Sequence, residues 1–226
     1  MTPLLASRLW LLDRRIDLQH LWRALRGSGG ARRMRAQAGR VAVAVLLALG
    51  LWQLGGGLWL YGKAWLAQVL IEDAWQRNRA AGHAQARPWD WADTTPVARL
   101  IFPAQQAAYV VLSGEAGRVL AFGPGHRPDS PLPGTAGNSV ISGHRDTHFR
   151  VLQRLQAGDL LEVEALDGHL RRYRVADMQI VDHRDLRVLA DRGFDELTLV
   201  TCWPFDAIVP GGPLRYVVKA AAVDAS

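Results

Sequence analysis

The stretch Thr198-Leu199-Val200-Thr201-Cys202 decides how the rest of this chain is interpreted. It is an apolar run with β-branched residues, which is typical of a short buried strand. Trp203, Pro204 and the turn cluster at residues 210–213 end the run directly after it. Cys202 is the only cysteine in the protein. The pattern therefore predicts a lone thiol at the point where a strand gives way to a loop.

A lone thiol has two interpretations. Free cysteine is among the most buried residue types and commonly behaves as a small hydrophobe, so the position of Cys202 at a strand end does not by itself indicate catalysis. Exported domains often pair their cysteines in disulfides, and an unpaired cysteine in such a domain is a candidate reactive thiol. The role of Cys202 therefore depends on whether it lies in the cytoplasm or on the exported side of the membrane.

An apolar segment near the N-terminus predicts that the C-terminal part is exported. Residues 41–61 contain no charged side chain, and their 21 residues match the length of a helix that crosses a bilayer. The 40 residues before them hold nine arginines and two aspartates. Basic flanks stay in the cytoplasm, so we expect an uncleaved, single-pass signal anchor with its N-terminus inside. The basic region is too long for the n-region of a cleaved signal peptide.

The basic charge of the chain belongs to this N-terminal region. The whole chain has a formal charge of +6, but the part from residue 41 onward has 18 basic and 19 acidic residues, a formal charge of −1. This balance argues against nucleic acid as a partner. The basic segment is instead suited to anionic lipid, which predicts the lipid bilayer as a partner.

Four segments follow from these patterns. Residues 1–40 form a cytoplasmic basic segment and residues 41–61 the transmembrane signal anchor. Residues 62–87 are rich in Ala, Gln and Arg without proline, which favours a helical stalk. Residues 88–226 form the main domain.

Short apolar runs separated by Gly and Pro turns predict about eight strands in the main domain, and this pattern indicates an all-β barrel or sandwich. Short helices are expected at His148–Leu155 and within Asp185–Arg192. The predicted strands are Val97–Phe102, Ala107–Leu112, Val119–Phe122, Val140–Ser142, Leu160–Ala165, Leu170–Val181, Leu197–Thr201 and Leu214–Val223.

Thiol catalysis requires a thiolate and therefore a basic partner, because the neutral thiol is a poor nucleophile. His144 follows the predicted strand Val140–Ser142, and Gly143 before it permits a close backbone approach. Arg215 lies near the start of the last strand, where a guanidinium could bind a substrate carbonyl or an oxyanion. Taken singly, His144 is equally a hydrogen-bonded loop histidine and Arg215 an exposed strand arginine.

Together these motifs resemble a known family. The run 198–202, the Gly143-His144-Arg145 sequence and an arginine on the following strand resemble the sortases, which are membrane-anchored cysteine transpeptidases. The wider stretches 88–93, 137–146 and 213–218 look like the sortase class of Gram-negative bacteria. The resemblance covers about residues 88–223.

The resemblance implies an eight-stranded β-barrel and a reaction at three residues. Cys202 would be the nucleophile, His144 the acid/base partner and Arg215 the group that steadies the substrate carbonyl or oxyanion. The enzyme would cut an LPxTG-like C-terminal sorting signal between Thr and Gly, form a thioester and transfer the protein to an amine acceptor. Thr201 would be a further backbone or hydroxyl donor. The reaction implies no cofactor and no metal.

Two other functions remain open at this stage. A peptidoglycan L,D-transpeptidase also uses Cys and His on an exported β-rich domain, but its cysteine lies in a Ser-His-Gly-Cys setting, whereas Val200-Thr201 precedes Cys202 here. A non-catalytic, membrane-anchored assembly scaffold would need none of the three residues. The stretch Leu132-Pro133-Gly134-Thr135-Ala136 itself resembles a sorting signal, but its Pro-Gly pair predicts an ordinary turn. The segment from Asp182 to Asp195 is expected to form a wall of the substrate groove.

Overall fold

The computed structural model describes residues 29–209 and 211–223. Most of the predicted basic segment, at residues 1–28, lies outside the described residues, as do residues 224–226 at the end of the predicted main domain. The chain divides into two compact units, residues 1–60 and 61–226. The segment boundaries predicted from the sequence remain predictions.

A long helix, α1 (Gly29–Ala81), is the first element of the described chain. In the first unit its large apolar side chains face solvent, with Leu51 70% and Trp52 82% exposed. Within the described residues, α1 from Arg32 onward is the one helix that is long and apolar enough to cross a membrane. The exposed apolar surface is consistent with the predicted membrane anchor.

In the second unit, α1 buries one face against the barrel. This face consists of residues at helical spacing that are all buried: Ala67, Ile71, Ala74, Trp75 and Asn78. The Asn78 side chain donates to the carbonyl oxygen of Pro96 at 3.1 Å, and the Arg99 guanidinium lies 5.7 Å from the centre of the Trp75 ring. The helix ends at Ala81, before Gly82 with a φ of +73°.

The described residues form eight strands, which confirms the predicted fold class. The strands are β1 (Pro96–Phe102), β2 (Ala107–Ser113), β3 (Gly125–His126), β4 (Asn138–Ser142), β5 (Leu160–Ala165), β6 (Leu170–Asp182), β7 (Glu196–Cys202) and β8 (Leu214–Ala222). They close into a barrel in the order β1-β2-β3-β4-β7-β8-β6-β5. The β2–β3 and β4–β7 pairs are parallel, and the remaining pairs are antiparallel.

One predicted strand is wrong. The run Val119–Phe122 does not form a strand, because residues Gly117–Leu120 form a short helix, α2, in which Val119 packs against Ile71 and Leu112. A short apolar run does not distinguish a buried strand from a helical turn, which explains the error. The strand actually present is β3, whose two residues Gly125–His126 are too short to give a pattern.

The predicted short helices are present as 3-10 helices. They are His148–Arg154, between β4 and β5, and Leu186–Leu189, between β6 and β7. The first contributes Phe149 and Leu152 to the barrel core, where both are fully buried. It therefore fixes the position of the chain directly after His144.

Candidate active site

Residues 198–202 lie at the end of β7, and their side chains alternate across the sheet. Leu197 and Leu199 are fully buried in the barrel core. Cys202 lies in the opposite phase at the end of the strand and is only partly buried. Because successive side chains of a strand point to opposite faces of the sheet, the Cys202 thiol lies outside the core and lines a groove on the outer face.

Threonine hydroxyls fasten β7 to its parallel neighbour β4. Thr198 donates to the side-chain oxygen of Asn138 at 2.7 Å, and Thr201 donates to the carbonyl oxygen of Gly143 at 2.8 Å. The Gly143 N–H in turn donates to Val200 at 3.0 Å. The turn that carries His144 is thus tied to the strand just before Cys202. The Thr201 hydroxyl is occupied and buried, so its predicted role as a hydroxyl donor to substrate is wrong.

Gly143 is required by packing. A Cβ atom at this position would lie 2.6 Å from Cγ of Phe149, closer than real Cβ contacts allow. The Phe149 ring is fully buried in the core, so it cannot move aside without opening the barrel. The close approach predicted at Gly143 is therefore made by this ring.

The three predicted site residues line one groove of about 360 Å³. Cys202 and Arg215 are direct neighbours across the β7–β8 pair, and His144 follows β4 on the other side of β7. The segment after β6 supplies a wall with Leu186, Val188 and Leu189, as expected for residues 182–195. An apolar groove with a thiol, an imidazole and a guanidinium at one place is suited to binding an extended peptide and attacking its carbonyl group.

Part of the Arg215 guanidinium is held by its own loop. Nη1 donates to the carbonyl oxygens of Gly212 at 2.7 Å and Leu214 at 2.9 Å. Nε and Nη2 make no hydrogen bond to other residues in the described ranges 29–209 and 211–223. These donors remain available for an oxygen atom in the groove.

A polar group in the groove was missed by the sequence interpretation. Glu115 binds Nη1 of Arg127 at 3.1 Å and accepts a hydrogen bond from the Ser142 hydroxyl at 3.1 Å. All three residues line the same groove as Cys202. Nothing in the sequence around Glu115 indicates this, because its partners lie 12 and 27 residues away and meet it only through the sheet.

Asp146 and His148, near His144, have partners outside the groove. The Asp146 carboxylate binds the Arg145 guanidinium, whose hydrogen bonds lower the pKa of Asp146. His148 lies edge-on to Tyr109, with ring centres 5.6 Å apart. Burial, followed by repulsion from His144, lowers the pKa of His148 below its ordinary value and favours the neutral ring.

The stretch 132–136 is a turn, as predicted. The Thr135 N–H and hydroxyl both donate to the carbonyl oxygen of Leu132, at 3.0 and 2.7 Å. Gly134 has a φ of +88°, which favours glycine.

Comparison with known proteins gives a consistent result. A profile of the family described as "Sortase: Sortase domain" matches residues 100–223. Sortase D of Bacillus subtilis (strain 168) is 35% identical over 125 residues, which are 55% of this chain and 62% of that protein. The match therefore spans less than two thirds of that relative.

Solved structures of sortases have the same fold. A Clostridium perfringens sortase D5 transpeptidase aligns with a TM-score of 0.51 and 28% identity, over 57% of this chain and 79% of that one. Sortase C-1 of Actinomyces oris aligns with a TM-score of 0.52 and 30% identity, over 57% and 76%. These relatives are sortases of Gram-positive bacteria, so they do not support the Gram-negative class predicted from the sequence.

Proposed function

Because this chain belongs to the sortase family, we propose that it is a membrane-anchored cysteine transpeptidase that acts on an LPxTG-like sorting signal. The observation that carries the proposal is that Cys202, His144 and Arg215 line one groove. Family membership argues against the L,D-transpeptidase alternative. The scaffold alternative requires none of these three residues and is tested below.

In the proposed acylation step, His144 acts first as a base and then as an acid. His144 takes the proton from Sγ of Cys202, and the sulfur attacks the carbonyl carbon of the threonine in the signal. Free N–H groups of Arg215 stabilise the negative charge that develops on the carbonyl oxygen. The Thr–Gly C–N bond then breaks, and protonated His144 donates its proton to the leaving glycine amine.

Transfer reverses the roles of the same groups. An acceptor amine attacks the thioester carbon and gives up a proton to His144. The C–S bond breaks, a new amide bond forms, and the Cys202 sulfur regains the proton. The two half-reactions balance without a redox partner.

The groove shape supports a peptide substrate. Leu120, Val200 and Val217 give it an apolar lining, and residues 181–189 supply a wall beside the thiol. Such a surface is suited to the leucine and proline side chains of a sorting signal, which bury apolar area without polar partners.

The test is thioester formation by the full chain in detergent. The chain is incubated with a panel of LPxTG-type peptides, first without and then with an amine acceptor, and intact mass is followed with time. We expect an adduct on Cys202 that is lost when the amine is added, and no adduct with Cys202→Ala. A protein whose Cys202 reacts with iodoacetamide but forms no adduct with any peptide would contradict the enzyme proposal and favour the scaffold.

We propose further that the N-terminus is cytoplasmic and the barrel exported across the plasma membrane, as the nine arginines before residue 41 predict. The single cysteine makes a direct test possible. A membrane-impermeant maleimide should label Cys202 in spheroplasts. Labelling only after the membrane is broken would reverse the orientation.

A further inference from the structure

Arg145, the residue after His144, is a buried arginine that the mechanism does not use. Its side chain is 5% exposed, although it belongs to a loop between β4 and a 3-10 helix. A buried guanidinium is unfavourable unless its N–H groups are satisfied. Its partners therefore indicate what holds it there.

The partners of Arg145 join two parts of the site. Nε and Nη2 donate to the two carboxylate oxygens of Asp146, at 2.8 and 3.1 Å. Nη1 donates to the carbonyl oxygen of Pro204 at 2.6 Å, and Nη2 donates to that of Ala207 at 2.9 Å. The last two carbonyl groups belong to the β7–β8 loop, which we define as the described residues 203–209 and 211–213. One side chain thus connects the His144 turn with the loop that starts directly after Cys202.

Among the described residues, the other hydrogen bonds from the β7–β8 loop to the rest of the domain are at its two ends. The Trp203 N–H donates to Leu214 at 3.1 Å, and the rings of Trp203, Phe205 and Tyr216 pack against each other with centres 5.3–5.7 Å apart. Beyond them Ile208 and Val209 are exposed, with Ile208 97% accessible. Arg145 binds the loop at Pro204, within the aromatic cluster, and at Ala207, just before these exposed residues.

We propose that Arg145 is a positioning residue that clamps the β7–β8 loop to the His144 turn and so keeps Cys202 and His144 at the separation that acyl transfer requires. The inference rests on the proposed function for its catalytic consequence. A misplacement of about 1 Å can cost roughly 10²-fold in rate, so a clamp at this position has a large effect on turnover.

The guanidinium shape matters as well as its charge. Hydrogen bonds that Arg145 donates to Asp146 raise the pKa of Arg145, and attraction to Cys202 and Asp206 acts in the same direction. Lysine would keep a positive charge beside Cys202 but lacks the planar fork that binds a carboxylate and two carbonyl groups at once. Arg145→Lys therefore separates a clamp from a purely electrostatic role.

The experiment compares four full-length proteins in detergent: wild type, Arg145→Lys, Asp146→Asn and Arg154→Lys. Arg154 is an exposed arginine at the end of the following 3-10 helix and serves as the matched control. Each protein is characterised by its thermal transition, by kcat and KM with a sorting-signal peptide, and by amide hydrogen exchange in residues 203–209.

For Arg145→Lys we expect a folded protein with kcat lowered about 10- to 100-fold, KM within about 3-fold, and faster exchange in 203–209. Asp146→Asn loosens the guanidinium without removing it, so kcat should fall about 3- to 10-fold with a smaller gain in exchange. Arg154→Lys should match the wild type in every readout.

Two results would overturn the clamp. The first is wild-type kcat and exchange in Arg145→Lys, which would show that charge alone suffices. The second is a lowered kcat with unchanged exchange in 203–209. If Arg145→Lys does not fold, Asp146→Asn decides: wild-type kcat and exchange in that variant overturn the proposal. A wild-type chain that forms no thioester contradicts the proposed function alone, since the exchange data still test whether Arg145 holds the loop.

Discussion

Two segments next to the reacting groups are held in different ways. The β7–β8 loop, beside the nucleophile, is bound by a buried guanidinium and an aromatic cluster. The ends of the opposite wall are fixed, because the His183 N–H donates to the carbonyl oxygen of Pro213 at 2.7 Å and the Asp195 carboxylate accepts from the Gly137 N–H at 2.9 Å. Between them, residues 184–194 form the wall and are held mainly by turns within themselves, such as the bonds from Arg187 N–H to Asp185 and from Gly193 N–H to Asp191. Its buried tie within the described chain is Asn138, which donates to the carbonyl oxygens of Leu189 and Ala190 at 3.2 Å each.

Because of this difference, we expect the two segments to have different roles in catalysis and in substrate binding. Buried, multiply bonded groups keep reacting atoms in place, because moving one of them leaves several polar atoms without partners. A wall held by local turns and one amide opens at lower free-energy cost and can adapt to a bound peptide. We therefore expect changes on the nucleophile side to lower kcat, and changes on the opposite wall to raise KM.

The largest effect is expected from Arg215→Ala on the nucleophile side. Loss of a preorganised donor to a developing oxyanion typically costs about 10²–10³ in kcat. Steady-state kinetics with a sorting-signal peptide measure this. Arg184→Ala, an exposed arginine on the opposite wall, is the control and should keep wild-type kcat. Equal kcat for both variants would contradict a catalytic role for Arg215.

The next largest effect is expected from Asn138→Ala, which removes the buried tie of the opposite wall. It leaves the Thr198 hydroxyl and two carbonyl groups without their partner, so we expect the free energy of unfolding to fall by about 2–3 kcal/mol. Urea denaturation measures this, and exchange should quicken in residues 186–190. Thr198→Val removes only the hydroxyl bond and should cost about 1 kcal/mol, with no change in exchange at 186–190. If Asn138→Ala and Thr198→Val lose protection from exchange at residues 186–190 to a similar extent, then the Asn138 side chain is not what holds the opposite wall.

A smaller effect is expected from Leu186→Ala in the groove wall. Leu186 is 59% exposed and lines the groove, so a bound peptide can cover it. Losing part of that apolar contact should raise KM roughly 3- to 10-fold at unchanged kcat. Phe194→Ala is the control, because Phe194 is 66% exposed in the same segment but does not line the groove. A fall in kcat without a change in KM would mean that this wall also positions the reacting groups.

The smallest effect concerns pH. Arg145 lowers the pKa of Asp146 below the ordinary aspartate value of about 3.9, so ionised Asp146 favours the folded state. This contribution is present above that ordinary value and is lost as pH falls through the lowered folded pKa. Wild type should therefore be more stable than Asp146→Asn at pH 7, and the difference should shrink below about pH 4. Thermal unfolding at several pH values measures it, and a difference that grows on acidification would contradict the pairing.

The sequence was sufficient for those features that repeat along the chain. Alternating apolar runs predicted the barrel and most of its strands, and the structure confirms that fold class. The sequence indicates Cys202, His144 and Arg215 through their chemistry, their positions at strand ends and the resemblance to sortases, and the structure brings them to one groove. Their catalytic roles remain predictions.

Features that depend on a few residues were not predictable. The four residues Val119–Phe122 suit either a strand or a helical turn, and packing of Val119 on Ile71 decides for the helix. The two-residue strand β3 is too short to form a pattern. Arg145 appears in the sequence as one residue of a motif, and nothing near it indicates that its side chain is buried.

By itself, the sequence determined that a lone thiol ends a buried strand on the phase opposite to Leu199, because side chains alternate along any strand. Only the tertiary structure decided what surrounds that thiol. The parallel register of β4 and β7 sets Ser142 opposite Val200, and this brings Arg145 to carbonyl groups 59 and 62 residues further along the chain. Hydrogen bonds over such separations depend on the register of paired strands, and no local pattern of residues records that register.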